Sequence, residues 1–205
     1  MYVPPKHSVD DEAAWSIVNE AGAGMVVISA PDGLQSVFVP VVVSDDRATI
    51  LTHVARANPW WRSLANGTDV LALFLTASTY ISPSNYPSRF ERPGTVPTWN
   101  FVAAEVRGRI IVHDDPEWLQ RQVRVVTDRF EANRAVRWSV EDAPSAYVAQ
   151  QVKAIVGIEI DVVSIQGKAK LSQNRPDVDR DAVRDNLATG SLSERIVAEH
   201  MKNHE

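Results

Sequence analysis

The chain has 205 residues, 44% of them hydrophobic and 23% charged, with a formal charge of −5 and no cysteine. That composition describes an ordinary soluble globular protein able to bury a real core, and the missing cysteines exclude disulfides, thiolate zinc sites and cysteine nucleophiles. No apolar run is long enough to span a bilayer and Met1-Tyr2-Val3-Pro4-Pro5 lacks signal-peptide character, so the sequence reads as cytoplasmic.

Residues 1–7 read as an extended arm held by paired prolines. Asp10-Asp11-Glu12 opens a helix with Trp15, Val18 and Ile17 on its apolar face, ending near Gly22 and Gly24. Met25 to Ser29 and Val37 to Val43 read as two strands joined by a Pro31-Asp32-Gly33 turn, because proline presets φ and glycine tolerates positive φ. After Asp45-Asp46 a third strand runs from Ala48 to Val54, followed by a short helix that starts at Asn58-Pro59 and stops at Asn66-Gly67. Asp69 to Thr76 is a strongly apolar fourth strand. Tyr80 to Val96 carries Pro83, Pro87 and Pro93 among serines and threonines, which suits a binding loop or an irregular excursion equally.

Pro97 to Val112 reads as one long strand, bent near Gly108. The longest helix starts at Asp115-Pro116-Glu117, with Leu119, Val123, Val126 and Phe130 on one face. A helix from about Pro144 to Val152 and a strand from Ala154 to Ile165 follow, and Gly167 to Ser172 continues the sheet after a turn. Asp177 to Leu187 is a further helix. Ser191-Leu192-Ser193-Glu194 is a capping box for the last one, with Leu192, Ile196 and His200 along one stripe. Strands follow one another without intervening helices in the first half, so a parallel doubly wound sheet does not fit. The pattern predicts a mainly β, α+β fold, an antiparallel barrel with peripheral helices. It is read as a single domain over residues 1–205, with a helical extension from about 176 to 205.

Chemistry-bearing motifs are sparse. There is no Walker-type phosphate loop, dinucleotide glycine fingerprint or nucleophile elbow. His200 and His204 stand four apart without a third ligand in sequence. The net charge, without a basic patch or helix-turn-helix signature, counts against direct DNA binding. Three segments stand out. In Thr52–Trp61 a strand passes beside Arg56 into a helix start at Asn58, where backbone N–H groups and a guanidinium fork can hold an anion; the same residues also suit a plain helix cap with a solvated arginine. Pro97-Thr98-Trp99-Asn100 sets an aromatic and an amide at a strand start. In Lys168–Arg175, alternation predicts that Lys168, Lys170 and Ser172 share a face while Leu171 packs inward; a solvated edge strand is the alternative.

Met1–Pro5, His53–Trp60, Tyr80–Ser84, Val96–Asn100 and Lys170–Arg175, in that order, closely resemble motifs of the PaiB family of FMN-binding negative transcriptional regulators. The resemblance spans essentially the whole chain. It implies an antiparallel Greek-key split β-barrel of the FMN-binding type, related to pyridoxamine-phosphate oxidases and flavin reductases. It also implies a homodimer with the cofactor at the subunit interface. Carried over by position, it places the FMN phosphate and ribityl chain at Thr52, His53, Arg56 and Asn58. Tyr80 and Ser82 fall near the isoalloxazine edge, and Trp99, Asn100, Lys170, Gln173 and Asn174 come from the facing subunit. The function implied is a regulator or flavin-dependent sensor; a flavin-dependent oxidoreductase using the same site is the alternative, with His53 and Tyr80 as candidate proton donors. Binding of another planar cofactor, a deazaflavin or haem, is a further possibility within such barrels. The segment Arg89-Phe90-Glu91-Arg92-Pro93-Gly94 is longer than the family pattern.

Overall fold

A computed structural model describes residues 1–91 and 94–203. Its strands are β1 (Ser8–Val9), β2 (Ala23–Ala30), β3 (Gly33–Pro40), β4 (Val42–Val43), β5 (Thr49–Ala55), β6 (Thr68–Ile81), β7 (Thr98–His113) and β8 (Ile155–Lys170). The helices are α1 (Asp11–Ala21), α2 (Pro116–Glu131), α3 (Ser145–Val152), α4 (Asp177–Ala188) and α5 (Leu192–Asn203). The sheet order is β3-β2-β6-β7-β8-β5-β4, with β1 added on β8. No helix among the described residues is long and apolar enough to cross a membrane.

The chain divides into two compact units: Met1–Ala21, Phe74–Glu105 and the chain from Ile165 form the first, Gly22–Leu73 and Val106–Ser164 the second. The helices α4 and α5 therefore share a unit with the N-terminal arm. The long strands β6, β7 and β8 each contribute a segment to both.

In the second unit, alternation along β2 buries Val26 and Ile28 and turns Met25 and Ser29 outward, the period-2 pattern of a sheet with one face on the core. The β2–β3 hairpin closes Ala30 against Gly33, and Gly33 takes a φ of 122° that a side chain would strain. Pro40 ends β3, since it has no N–H for the ladder; the predicted single strand Val37 to Val43 is thus broken at Val41. In β5, Ile50, Thr52 and Val54 are buried, leaving His53 and Ala55 on the opposite face. Helix α2 is capped by Asp115, whose carboxylate accepts from Trp118 N at 3.0 Å. It buries Leu119 and Gln122, while Phe130 at the end of the expected stripe is exposed.

In the first unit, β1 pairs with the end of β8, Val9 opposite Gly167. The turn expected between Ile165 and Gly167 is absent: β8 runs from Ile155 to Lys170 without a break. Gly167 admits the N-terminal arm, since a Cβ there would stand 2.3 Å from Val9 Cγ2. α1 buries Ala14, Trp15, Ile17 and Val18. The capping box of α5 is present, with Ser191 N and Oγ both donating to Glu194 Oε2 at 2.7 Å. Its buried face is Val197, Ala198 and Met201, not the predicted stripe, and Leu192 is exposed. His200 lies 3.1 Å from Glu20 Oε1. His204 lies outside the described residues, as do Arg92 and Pro93 of the long loop.

Candidate functional site

The residues singled out by sequence fall into two clusters, one in each unit. In the second unit the turn after β5 is tied down by its own polar groups. Asn58 caps as expected, Oδ1 accepting from Trp60 N at 3.0 Å, but the helix it opens is a five-residue 3-10 helix, Pro59–Ser63, too short to carry a useful macrodipole. Arg56 is committed on every side. Its Nε donates to the Lys153 carbonyl at 2.8 Å, Nη2 to the Ile155 carbonyl at 2.9 Å, and both Nη atoms to the Asp114 carboxylate. The carboxylate raises the Arg56 pKa and the guanidinium lowers that of Asp114. Sequence reasoning missed the pairing of Arg56 with Asp114, since nothing in the spacing links positions 58 residues apart.

Thr52 is buried and donates its hydroxyl to the Pro40 carbonyl at 2.6 Å. His53 lies on the other face of β5, its Nδ1 donating to Gln122 Oε1 at 3.1 Å. Burial pushes the His53 pKa below the ordinary 6.5, against the opposing pull of the Gln122 bond. Gln122 was also missed, because an amide on a helix carries no signal of its own.

In the first unit, Tyr80 and Trp99 form an edge-to-face pair with centroids 6.3 Å apart, the favoured geometry for aromatic rings, and both are about half exposed. Beside them the Lys170 ammonium donates to the Trp99 carbonyl at 2.7 Å and to the Thr98 hydroxyl. Burial, then the neighbouring Lys168, lowers the Lys170 pKa. Lys168 donates to the Tyr2 carbonyl at 2.9 Å and stands 5.2 Å from the centre of the Phe101 ring. Two cations and two half-exposed rings thus share one surface, which suits a planar anionic ligand. Ser82 Oγ accepts from Ser84 N at 3.2 Å and Ser84 Oγ at 2.8 Å, capping the 3-10 turn Pro83–Asn85.

The remaining predicted contacts hold the fold. Asn100 is fully buried against Ser172, so within this chain it faces no ligand. Ser172 does not share the lysine face: β8 ends at Lys170, and residue 172 turns inward with a φ of 65°. Gln173 donates to the Ala169 carbonyl at 2.6 Å and accepts from Leu171 N at 2.7 Å and from His7 Nδ1 at 3.0 Å. Asn174 is exposed beyond that turn. The suspected loop is anchored rather than loose. Ser88 N and Oγ both donate to the buried carboxylate of Asp179 on α4, at 3.0 and 2.6 Å, and Tyr86 is buried under the Arg175 guanidinium. Among the described residues no cluster of three metal-ligating side chains occurs.

Residues 1–164 match the family model described as "Putative FMN-binding domain". The chain is 32% identical over 184 residues to the protease synthase and sporulation protein PAI 2 of Bacillus subtilis, covering 87% of this chain and 85% of that protein. Among solved structures, an FAD and heme binding protein from Mycobacterium smegmatis superposes with a TM-score of 0.60 at 18% identity, covering 91% of this chain and 81% of its own. The flavocytochrome Anf3 of Azotobacter vinelandii gives a TM-score of 0.60 at 11% identity, over 84% of this chain and 73% of its own. At these identities the structural likeness bears on the fold, an antiparallel split barrel.

Proposed function

Because this chain belongs to the PaiB-type family of FMN-binding split-barrel proteins, we propose that it acts as a flavin-dependent sensor or regulator whose cofactor is FMN. The observation that carries this reading is the Tyr80–Trp99 pair with the Lys170 ammonium fixed against the Trp99 carbonyl. Half-exposed rings offer a surface to a flat conjugated ring system, and Lys170 and Lys168 offer positive charge. When bound, FMN supplies redox chemistry of its own; the protein's part is to bind it, orient it and tune its electronics.

The proposed assembly is a homodimer. The β3–β2–β6 face carries Phe38, Met25 and Leu73 in one row, since Met25 pairs with both neighbours, and all three are exposed. A contiguous apolar row on a sheet face marks an interaction surface. Replacing Phe38 with Glu is expected to shift the protein from dimer to monomer in light scattering, and a dimer that survives it excludes this face. The proposal includes a cytoplasmic setting and, on the strength of the charge of −5, regulation without direct DNA contact; robust salt-sensitive retardation of random DNA in a gel shift contradicts the latter.

The decisive experiment is reconstitution of the purified chain with FMN, followed by its visible spectrum and flavin fluorescence. Bound flavin with quenched emission is the expected result. Absence of any retained flavin overturns the reading.

A further inference from the structure

A cavity of about 420 Å3 opens beside the outer face of β5. Its wall includes His53 and Ala55 from that strand, Val123 from α2, Trp138, and Tyr147 and Val148 from α3. All lie within the second unit. The volume falls in the range of small-molecule sites, and such sites are built as this one is, from apolar and aromatic walls with a few placed polar groups.

From its chemistry we infer that this cavity binds a small uncharged aromatic molecule carrying one hydroxyl or N–H donor. No residue of its wall is an Asp, Glu, Lys or Arg, so a charged ligand would enter without a counter-charge, at a large desolvation cost. The two rings in the wall, Trp138 and Tyr147, are each about half exposed, which leaves their faces free for an aromatic guest. His53 supplies the polar handle. Because Gln122 Oε1 can only accept, the bond at 3.1 Å holds the imidazole proton on Nδ1 and leaves Nε2 as an acceptor. The ligand must therefore donate. The lowered pKa of His53 keeps the ring neutral at pH 7 and in keeping with the rest of the wall.

With the flavin on the Tyr80–Trp99 surface of the other unit, this site is separate from the flavin's, and His53, which the family motif assigns to FMN, belongs to the cavity instead. FMN carries a phosphate of roughly −1.5 to −2 charge, for which the cavity offers no cation.

The test titrates the purified full-length chain, with and without FMN, using three fluorinated probes read by 19F NMR. These are 4-fluorophenol, 4-fluorotoluene, which lacks the donor, and 4-fluorobenzoate, which is anionic. Expected is saturable binding of 4-fluorophenol, at least several-fold tighter than 4-fluorotoluene, with 4-fluorobenzoate excluded. Val148→Trp fills the cavity and is expected to abolish phenol binding while FMN quenching is unchanged. Tyr147→Ala, a milder change on an exposed side chain, is expected to weaken it at least threefold with the circular dichroism unaltered. The inference is overturned if 4-fluorophenol does not bind, if benzoate binds equally, or if neither variant affects the phenol. Loss of FMN together with the phenol in Val148→Trp also overturns it, because the cavity would then be part of the flavin site. Dissociation of a dimer by that variant would assign the cavity to a second copy of the chain. Failure of the chain to bind FMN at all would sink the cofactor reading and leave the phenol titration to stand by itself.

Discussion

Asn100 and Ser172 hold one another across the first unit. The Asn100 amide donates to Ser172 Oγ at 3.0 Å, and the hydroxyl returns a bond to Asn100 Oδ1 at 3.1 Å. Neither is exposed beyond 3%. The pair fixes the turn that ends β8, where residue 172 adopts a φ of 65°, and so sets where Lys170 and Gln173 stand.

Removing either partner leaves a buried polar group without its bond, at about 1–3 kcal/mol. Asn100→Ala is expected to lower the unfolding free energy by that amount, read as a lower urea midpoint with the slope unchanged. Ser172→Gly relieves the left-handed backbone, worth roughly 1–2 kcal/mol, so it should cost less than Ser172→Ala. A midpoint unmoved by Asn100→Ala would show that the bond pair contributes nothing to stability.

Much of the fold was legible in sequence because it depends on local signals. The Pro31-Asp32-Gly33 turn, the Asn58 and Asp115 caps and the Ser191 box all act within four residues of themselves. Long-range partners were not legible. Arg56 looks like a free anion donor until Asp114 and two carbonyls close on it. Gly167 looks like the exit from a turn until Val9 pairs beside it. Motifs could be matched by position, yet which of their polar groups face a ligand depends on burial: Asn100 and Thr52 face inward, Trp99 and Tyr80 outward.

Trp118 lies flat over Gly157. A Cβ at that glycine would come within 2.2 Å of Trp118 Cζ3 and 3.1 Å of Leu119 Cδ2. The indole also stacks on His113, with centroids 3.9 Å apart and planes 8° from parallel, so it can yield only by breaking that stack. Gly157→Ala is expected to cost about 1–3 kcal/mol of overpacking and to change tryptophan emission. Wild-type thermal stability and emission in the variant would contradict the packing described.

Burial lowers the pKa of both His7 and His53 from the ordinary 6.5. The unfolded chain then binds protons that the native state refuses, so stability is constant above pH 6.5 and falls as the pH drops below it. The carboxylates held low by donors, Asp46 by Ser44, Asp114 by Arg56, Glu141 by Arg124 and Glu194 by Ser191, act in the same direction but in a more acidic window. Melting temperature should therefore decline first between pH 6.5 and about 5. A His7→Phe, His53→Phe double variant should flatten that first decline and keep the acidic one. An unchanged slope would move the effect to other groups.

Arg56 and Asp114 separate a brace from a binding group. If the guanidinium takes part in holding FMN, Arg56→Met removes a charge-assisted bond of roughly 1.5–3 kcal/mol, about tenfold or more in affinity. Asp114→Asn acts oppositely. It leaves the bonds to the Lys153 and Ile155 carbonyls in place and removes the counter-charge and one of the two acceptors that hold the Nη atoms, so FMN should bind as well as before or more tightly. If Arg56 were only a brace, both variants would loosen the turn, Arg56→Met more than Asp114→Asn, and FMN affinity would fall in both or in neither. Flavin fluorescence titrations of the two variants against wild type decide between these outcomes, because only a binding role moves them in opposite directions.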